Sequence, residues 1–164
     1  MSVEWSNKSA PWITKDGCLD AAKFPIEGIL QQAMESDART FESGVAMLRM
    51  MYGSGRKEAG VFLLGLLVAS DNNCDKRLTI VEALRDVQTE ACARLLFAEL
   101  RRTKSSNTTR RYLNGVIKTL AAMPAELVQE EFASLAADHS FSYRLRSKFR
   151  EVIEGDHDFP AEWL

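Results

Sequence analysis

Asp71-Asn72-Asn73-Cys74-Asp75-Lys76-Arg77 and Asp138-His139-Ser140-Phe141-Ser142-Tyr143-Arg144 share one spacing, an aspartate followed six positions later by an arginine. The second copy begins 67 residues after the first, and the pair Arg110-Arg111 falls almost midway between Arg77 and Arg144. Two steps of about 33 to 34 residues therefore connect the marks, and one more step back from Asp71 lands on Asp37. A fixed period of this size is the signature of stacked supersecondary units, each too small to bury its apolar face alone. The period outranks local patterns in deciding the fold.

Around these marks, apolar stripes at helical spacing alternate with short polar breaks. Behind Pro25, Ile26, Ile29, Leu30 and Met34 recur at intervals of three and four and predict a helix over 25–36. Phe41, Val45, Leu48 and Met51 or Tyr52 predict its partner over 40–52, broken by Gly53-Ser54-Gly55. The next pair covers 57–70 and 76–87. Val61 to Ala69 is apolar nearly all round, the pattern of a helix covered on several sides, and is expected in the middle of the stack. Leu78, Val81, Leu84 and Val87 form the stripe of the partner.

The third pair covers 90–103 and 108–122, with Ser106, Asn107 and Thr108 as candidate N-caps and Pro124 as the stop. The fourth covers 125–138 and 142–154 and ends at Gly155. Nothing alternates with period two. The expectation is an all-α chain of about eight helices in four pairs, each helix roughly 18 to 22 Å long at a 1.5 Å rise.

Helix pairs at this period, with an aspartate in the turn and an arginine six residues on, resemble HEAT repeats. The residues that carry the resemblance are Asp71 with Arg77 and Asp138 with Arg144, supported by Asp37 and by Arg110 or Arg111. The resemblance covers about 25–154. It implies a right-handed α-α superhelix in which the aspartates and arginines form a ladder between neighbouring repeats and the second helices line a concave face. The chain departs from the pattern at Ser43 or Gly44, where the first arginine belongs, and at Lys104 or Ser105, where the third aspartate belongs. Phe97 and Phe132 are expected as core anchors of equivalent helices, and Trp5, Trp12 and Trp163 as covers for the exposed ends of the stack.

At 164 residues the chain is long enough to bury a core without disulfide or metal, and it is expected to form one domain. Residues 1–24 read as an N-terminal cap segment, 25–154 as the repeats and 155–164 as a tail. Its 46% apolar and 27% charged residues are those of an ordinary globular protein. Three widely spaced cysteines, Cys18, Cys74 and Cys92, fit reduced thiols. No basic-apolar leader opens the sequence, Val61 to Ala69 is too short to span a bilayer, and a cytoplasmic, membrane-free location is the expectation. On that reading the glycosylation-type triplets at Asn7 and Asn107 are chance matches.

The net charge of −2 conceals an asymmetry. Residues 1–42 carry four basic and seven acidic side chains, whereas 101–111 carry Arg101, Arg102, Lys104, Arg110 and Arg111 with no acid. A second basic run, Arg144, Arg146, Lys148 and Arg150, lies one period on. The expected contact surface is Arg77, Arg110, Arg111, Arg144, Arg146 and Lys148, taking an acidic protein or peptide through bidentate arginine contacts. Arg77 and Arg144 also belong to the expected structural ladder with Asp37, Asp71 and Asp138. Nucleic acid is the alternative ligand, disfavoured by a pI near 5.8 and few free aromatics in the basic runs.

Alkylpurine DNA glycosylases are also built of HEAT-like repeats, but their catalytic carboxylate and aromatics have no counterpart inside these runs. His139 and His157 are the only histidines, too few for a triad or a His-rich metal site. Asp156-His157-Asp158 reads as a solvated tail, and Gly53-Ser54-Gly55-Arg56-Lys57 as a turn without full phosphate-loop spacing. No catalysis, metal or cofactor is expected. The reading is a small interaction module.

Overall fold

The computed structural model describes residues 10–155. Among them the fold is all-helical, with eight α-helices, one 3-10 turn, an isolated bridge between Ile13 and Leu19, and no strand. The chain divides into two compact units, Met1–Phe62 and Leu63–Leu164, with the boundary inside the third helix. Trp5, Trp163, Asn7 and the residues from Asp156 onward lie outside the described residues.

In the first unit, α1 (Ile26–Gln32) starts behind Pro25, whose ring presets φ at −63°. The helix stops at Gln32 and not at Ser36. Met34, expected on the buried face, is 70% exposed, and Ala33 takes the buried position instead. The cause lies in α2 (Ala38–Gly53). At Gly44 a Cβ would collide with the backbone of Gln32 and Ala33, so the two helices meet backbone to backbone. Asp37 caps α2 by accepting from the Thr40 amide at 2.9 Å and its hydroxyl at 2.7 Å. Phe41, Val45, Leu48 and Met51 are buried, as their spacing requires. Gly55, at φ +99°, turns the chain, and Arg56 then donates to the Phe24 carbonyl. Trp12 meets Phe24 edge-on at 5.8 Å.

Helix α3 (Lys57–Ala69) departs from its expectation of cover on all sides. Leu63 and Leu67 are fully buried, yet Val61 and Val68 are 67% and 68% exposed, on a stripe that also holds Gly65. Its low polarity therefore includes one open face.

The second unit continues with α4 (Cys74–Ala83), which starts at Cys74 because the Asn73 carboxamide accepts from the amides of Asp75 and Lys76 at 3.1 and 3.2 Å. A 3-10 turn, Leu84–Asp86, finishes the segment. Thr89 caps α5 (Glu90–Arg102), while α6 (Arg110–Ala121) begins after Ser106 and Thr109 have exchanged side-chain to amide bonds of 2.9 and 3.2 Å. Pro124 precedes α7 (Ala125–Ala137), Ser142 caps α8 (Tyr143–Glu154), and Gly155 at φ +73° ends it. Helix α4 packs on α6, α5 on α6 and α7, and α7 on α8.

Rings join these layers. Phe97 meets Phe132 at 5.1 Å, and Phe132 meets Phe149 at 5.9 Å. Each such side chain contributes about 1.5 to 3 kcal/mol by burial. Cross-links recur at the sequence period: Gln88 Nε2 donates to the Ala122 carbonyl at 3.1 Å, and Lys148 Nζ to Asn114 Oδ1 at 2.6 Å, each pair 34 residues apart.

Candidate interaction surface

The resemblance expects Arg77 in a ladder that joins neighbouring repeats, and the structure gives its guanidinium the following partners. Arg77 is only 4% exposed. Its Nη1 donates to the Leu67 and Ser70 carbonyls, both at 3.1 Å, and to Ser70 Oγ at 2.9 Å, which caps the C-terminal end of α3. Its Nη2 pairs with Glu99 of α5, and the guanidinium lies 5.6 Å from the centroid of the Tyr112 ring. Glu99 also accepts from the Tyr112 hydroxyl and from Arg102 Nε and Nη2 at 2.6 and 2.9 Å. Burial alone would raise the Glu99 carboxyl, but the donors Arg102, Tyr112 and Arg77 outweigh it and hold the group below its ordinary range. Burial and the carboxylate together raise the Tyr112 phenol. Arg77 is therefore committed to the core and has no reach left for a partner.

Glu99 is the residue that sequence reasoning missed. The signal was present, because an acid sits there among Leu96, Phe97 and Leu100, where α5 turns inward. An acid on such a face requires a buried cation.

The other ladder positions serve local turns. Asp71 is exposed and accepts from the Asn73 amide at 3.1 Å. Asp138 accepts from the Ser140 amide at 2.8 Å, a bond that lowers its carboxyl below its ordinary range. Asp37 caps α2. Among the described residues, neither Asp71 nor Asp138 forms an ion pair with Arg77 or Arg144.

The basic runs divide in the same way. Arg101 pairs with Glu131, and Arg102 with Glu99, so acids from α5 and α7 neutralise the start of the first run. Arg110, Arg111 and Arg144 are exposed in the first turns of α6 and α8. Among the described residues neither Arg111 nor Arg144 has an ion pair, and Arg110 bonds only the neutral Asn107 carboxamide, at 2.8 Å. Arg146 is half-buried. Its Nη1 lies 3.0 Å from His139 Nδ1, and its Nε is buried without a partner.

Lys148 is 7% exposed and is held by Asn114, so its stem lies in the α6–α8 packing and not on an open surface. Burial lowers its ammonium below the ordinary 10.5. The charge of Arg144 adds to that effect, as do Arg110 and Lys118, against the opposing charge of Glu151. The structure thus brings Arg110, Arg144, Lys118 and Lys148 into one positive field along α6 and α8. It separates Arg77 from them.

Cys92 is buried, its thiol pushed up to about 12 by desolvation, which makes it a poor nucleophile. Among the described residues no group of three His, Cys, Asp or Glu side chains is arranged to hold a metal, and no helix is long and apolar enough to cross a membrane. No family model, curated protein or solved structure matches the chain.

Proposed function

We propose that this chain is a non-catalytic cytoplasmic adaptor whose helix pairs stack as a HEAT-like right-handed solenoid and whose helices α6 and α8 bind an acidic protein segment. The observation that carries this reading is where the positive charge sits. Arginines in the first turn of a helix oppose the macrodipole and cost about 0.3 to 1 kcal/mol each. Here Arg110 and Arg111 occupy that turn of α6, and Arg144 and Arg146 that of α8, with no acid in either first turn. Of these, Arg144 and Arg110 act on a Lys148 that burial already holds below its ordinary pKa. An incoming carboxylate relieves all of these costs at once, and arginine forks give it bidentate geometry. The solenoid part of the proposal draws on the 34-residue interval between cross-linked positions.

The test is capture from nuclease-treated lysate, comparing the unaltered protein with an Arg111→Glu/Arg144→Glu variant. Both arginines are exposed, so the variant should keep its helical circular dichroism and melt at the same temperature or slightly higher, while losing the captured protein. Capture that survives the double reversal places the interface elsewhere. Capture that disappears with nuclease transfers the surface to nucleic acid.

A further inference from the structure

Every aromatic side chain among the described residues is buried or half-buried except Tyr143, which is 72% exposed. The local geometry keeps it out. Ser142 caps α8 by accepting from the Leu145 amide at 3.3 Å, which makes Tyr143 the first residue of the helix. Two positions back, Phe141 turns inward and meets Phe149 edge-on at 5.5 Å, whereas Tyr143 makes no ring contact among the described residues. A ring left in water gives the fold no burial. Lone exposed apolar residues are ordinary on a surface. What separates Tyr143 from the comparably exposed Met34 and Val68 is its neighbour Arg144, itself exposed and without an ion pair among the described residues. Tyrosine beside arginine is the composition of an interface anchor: the ring offers a large rigid face at little cost in side-chain entropy, and the guanidinium a fork for carboxylates. Sites for single-stranded nucleic acid set out several aromatics for successive bases. One ring standing alone among the described residues fits one apolar side chain of a protein segment.

We propose that the acidic segment bound by α6 and α8 carries an aromatic or long aliphatic side chain beside its acids, and that this side chain packs on the ring of Tyr143. The inference rests on the reading of the basic surface given above and adds an apolar anchor to it. The site then selects acidic-apolar segments over purely acidic ones.

Fluorescence anisotropy with two labelled peptides tests it, an oligoglutamate interrupted once by phenylalanine and the same peptide with alanine at that place. The phenylalanine peptide should bind the unaltered protein about two- to ten-fold more tightly, the increment of one aromatic pair. Tyr143→Ala should bring this ratio to about one, and Tyr143→Phe should keep it. The ring is exposed, so neither variant should change Tm. A ratio of about one in the unaltered protein overturns the proposal, as does a ratio that persists in Tyr143→Ala. If Arg111→Glu/Arg144→Glu still weakens both peptides in either case, the basic-surface reading stands and only the apolar anchor falls. If neither peptide binds the unaltered protein, both readings fall together. Oligothymidylate that displaces the peptides and binds Tyr143→Ala more weakly assigns the ring to a base, and that too overturns the proposal.

Discussion

Glu99 is the buried carboxylate on which three side chains of the second unit converge. Its carboxylate satisfies Arg77, Tyr112 and Arg102, and Arg77 in turn holds the last carbonyls of α3. A buried pair is weak evidence of net stabilisation, but removing one partner leaves an uncompensated buried charge and costs about 3 to 5 kcal/mol. Glu99→Ala is therefore expected to lower the urea midpoint strongly. Asp71→Ala, at the expected ladder position, should shift it by less than about 1 kcal/mol, since its one bond is an exposed turn contact. Equal losses from the two variants would restore the ladder reading. The acid limb follows from the same group. Its folded carboxyl lies below the ordinary value of 4.5, so the stability it supplies is complete above that pH and drains away as pH falls through the folded value. Urea midpoints measured across this range should converge for the unaltered protein and Glu99→Ala as the solution becomes more acidic. A constant gap would show that Glu99 does not titrate with folding.

At the scale of elements, the helices were legible because their information is local. Apolar periodicity placed all eight with starts within two residues, but caps were less legible: Asn73, which starts α4 two residues before its expected 76, was not read as one, and α6 has Thr109 at its N-cap, not Ser106, Asn107 or Thr108. Contacts between elements were not legible, because no local pattern reports them. Glu99 lies 22 residues from Arg77, an interval that the period of 33 to 34 does not mark. Gly44 shows the same limit from the other side. The missing first arginine reads as an irregularity of the repeat, yet any side chain there would strike the backbone of α1. Three glycine substitutions separate packing from propensity. Replacing an interior helical glycine by alanine normally gains about 1 kcal/mol. Gly65→Ala, with open space around its Cβ position, should raise Tm by that measure. Gly44→Ala should lower it, overpacking costing about 1 to 3 kcal/mol or more. Gly115→Ala should fall between them, because the new methyl meets only the movable end of Leu78. A stabilising Gly44→Ala would mean that α1 and α2 can separate without cost.

For the whole molecule, the charge asymmetry sets a distinctive ionic-strength signature. The chain carries a net charge of −2 while the binding surface proposed for it is positive, so on that proposal the far and near fields act on an acidic partner with opposite signs. Which field the partner feels depends on the screening length, about 30 Å at 0.01 M salt, 10 Å at 0.1 M and 3 Å at 1 M. At the lowest salt the partner senses the net negative charge of the molecule and approaches against it. Near 0.1 M that repulsion is screened, whereas Arg110, Arg111 and Arg144 still act over contact distances. At 1 M those contacts weaken too. Affinity for a fluorescein-labelled oligoglutamate peptide, followed by anisotropy, should therefore pass through a maximum near 0.1 M. In Arg111→Glu/Arg144→Glu the maximum should flatten, since that double reversal puts two acids among the remaining basic side chains of α6 and α8. A steady fall in affinity from the lowest salt upward would mean that the acidic residues of 1–42 do not act at the surface, and that the basic helices alone set the approach of the partner.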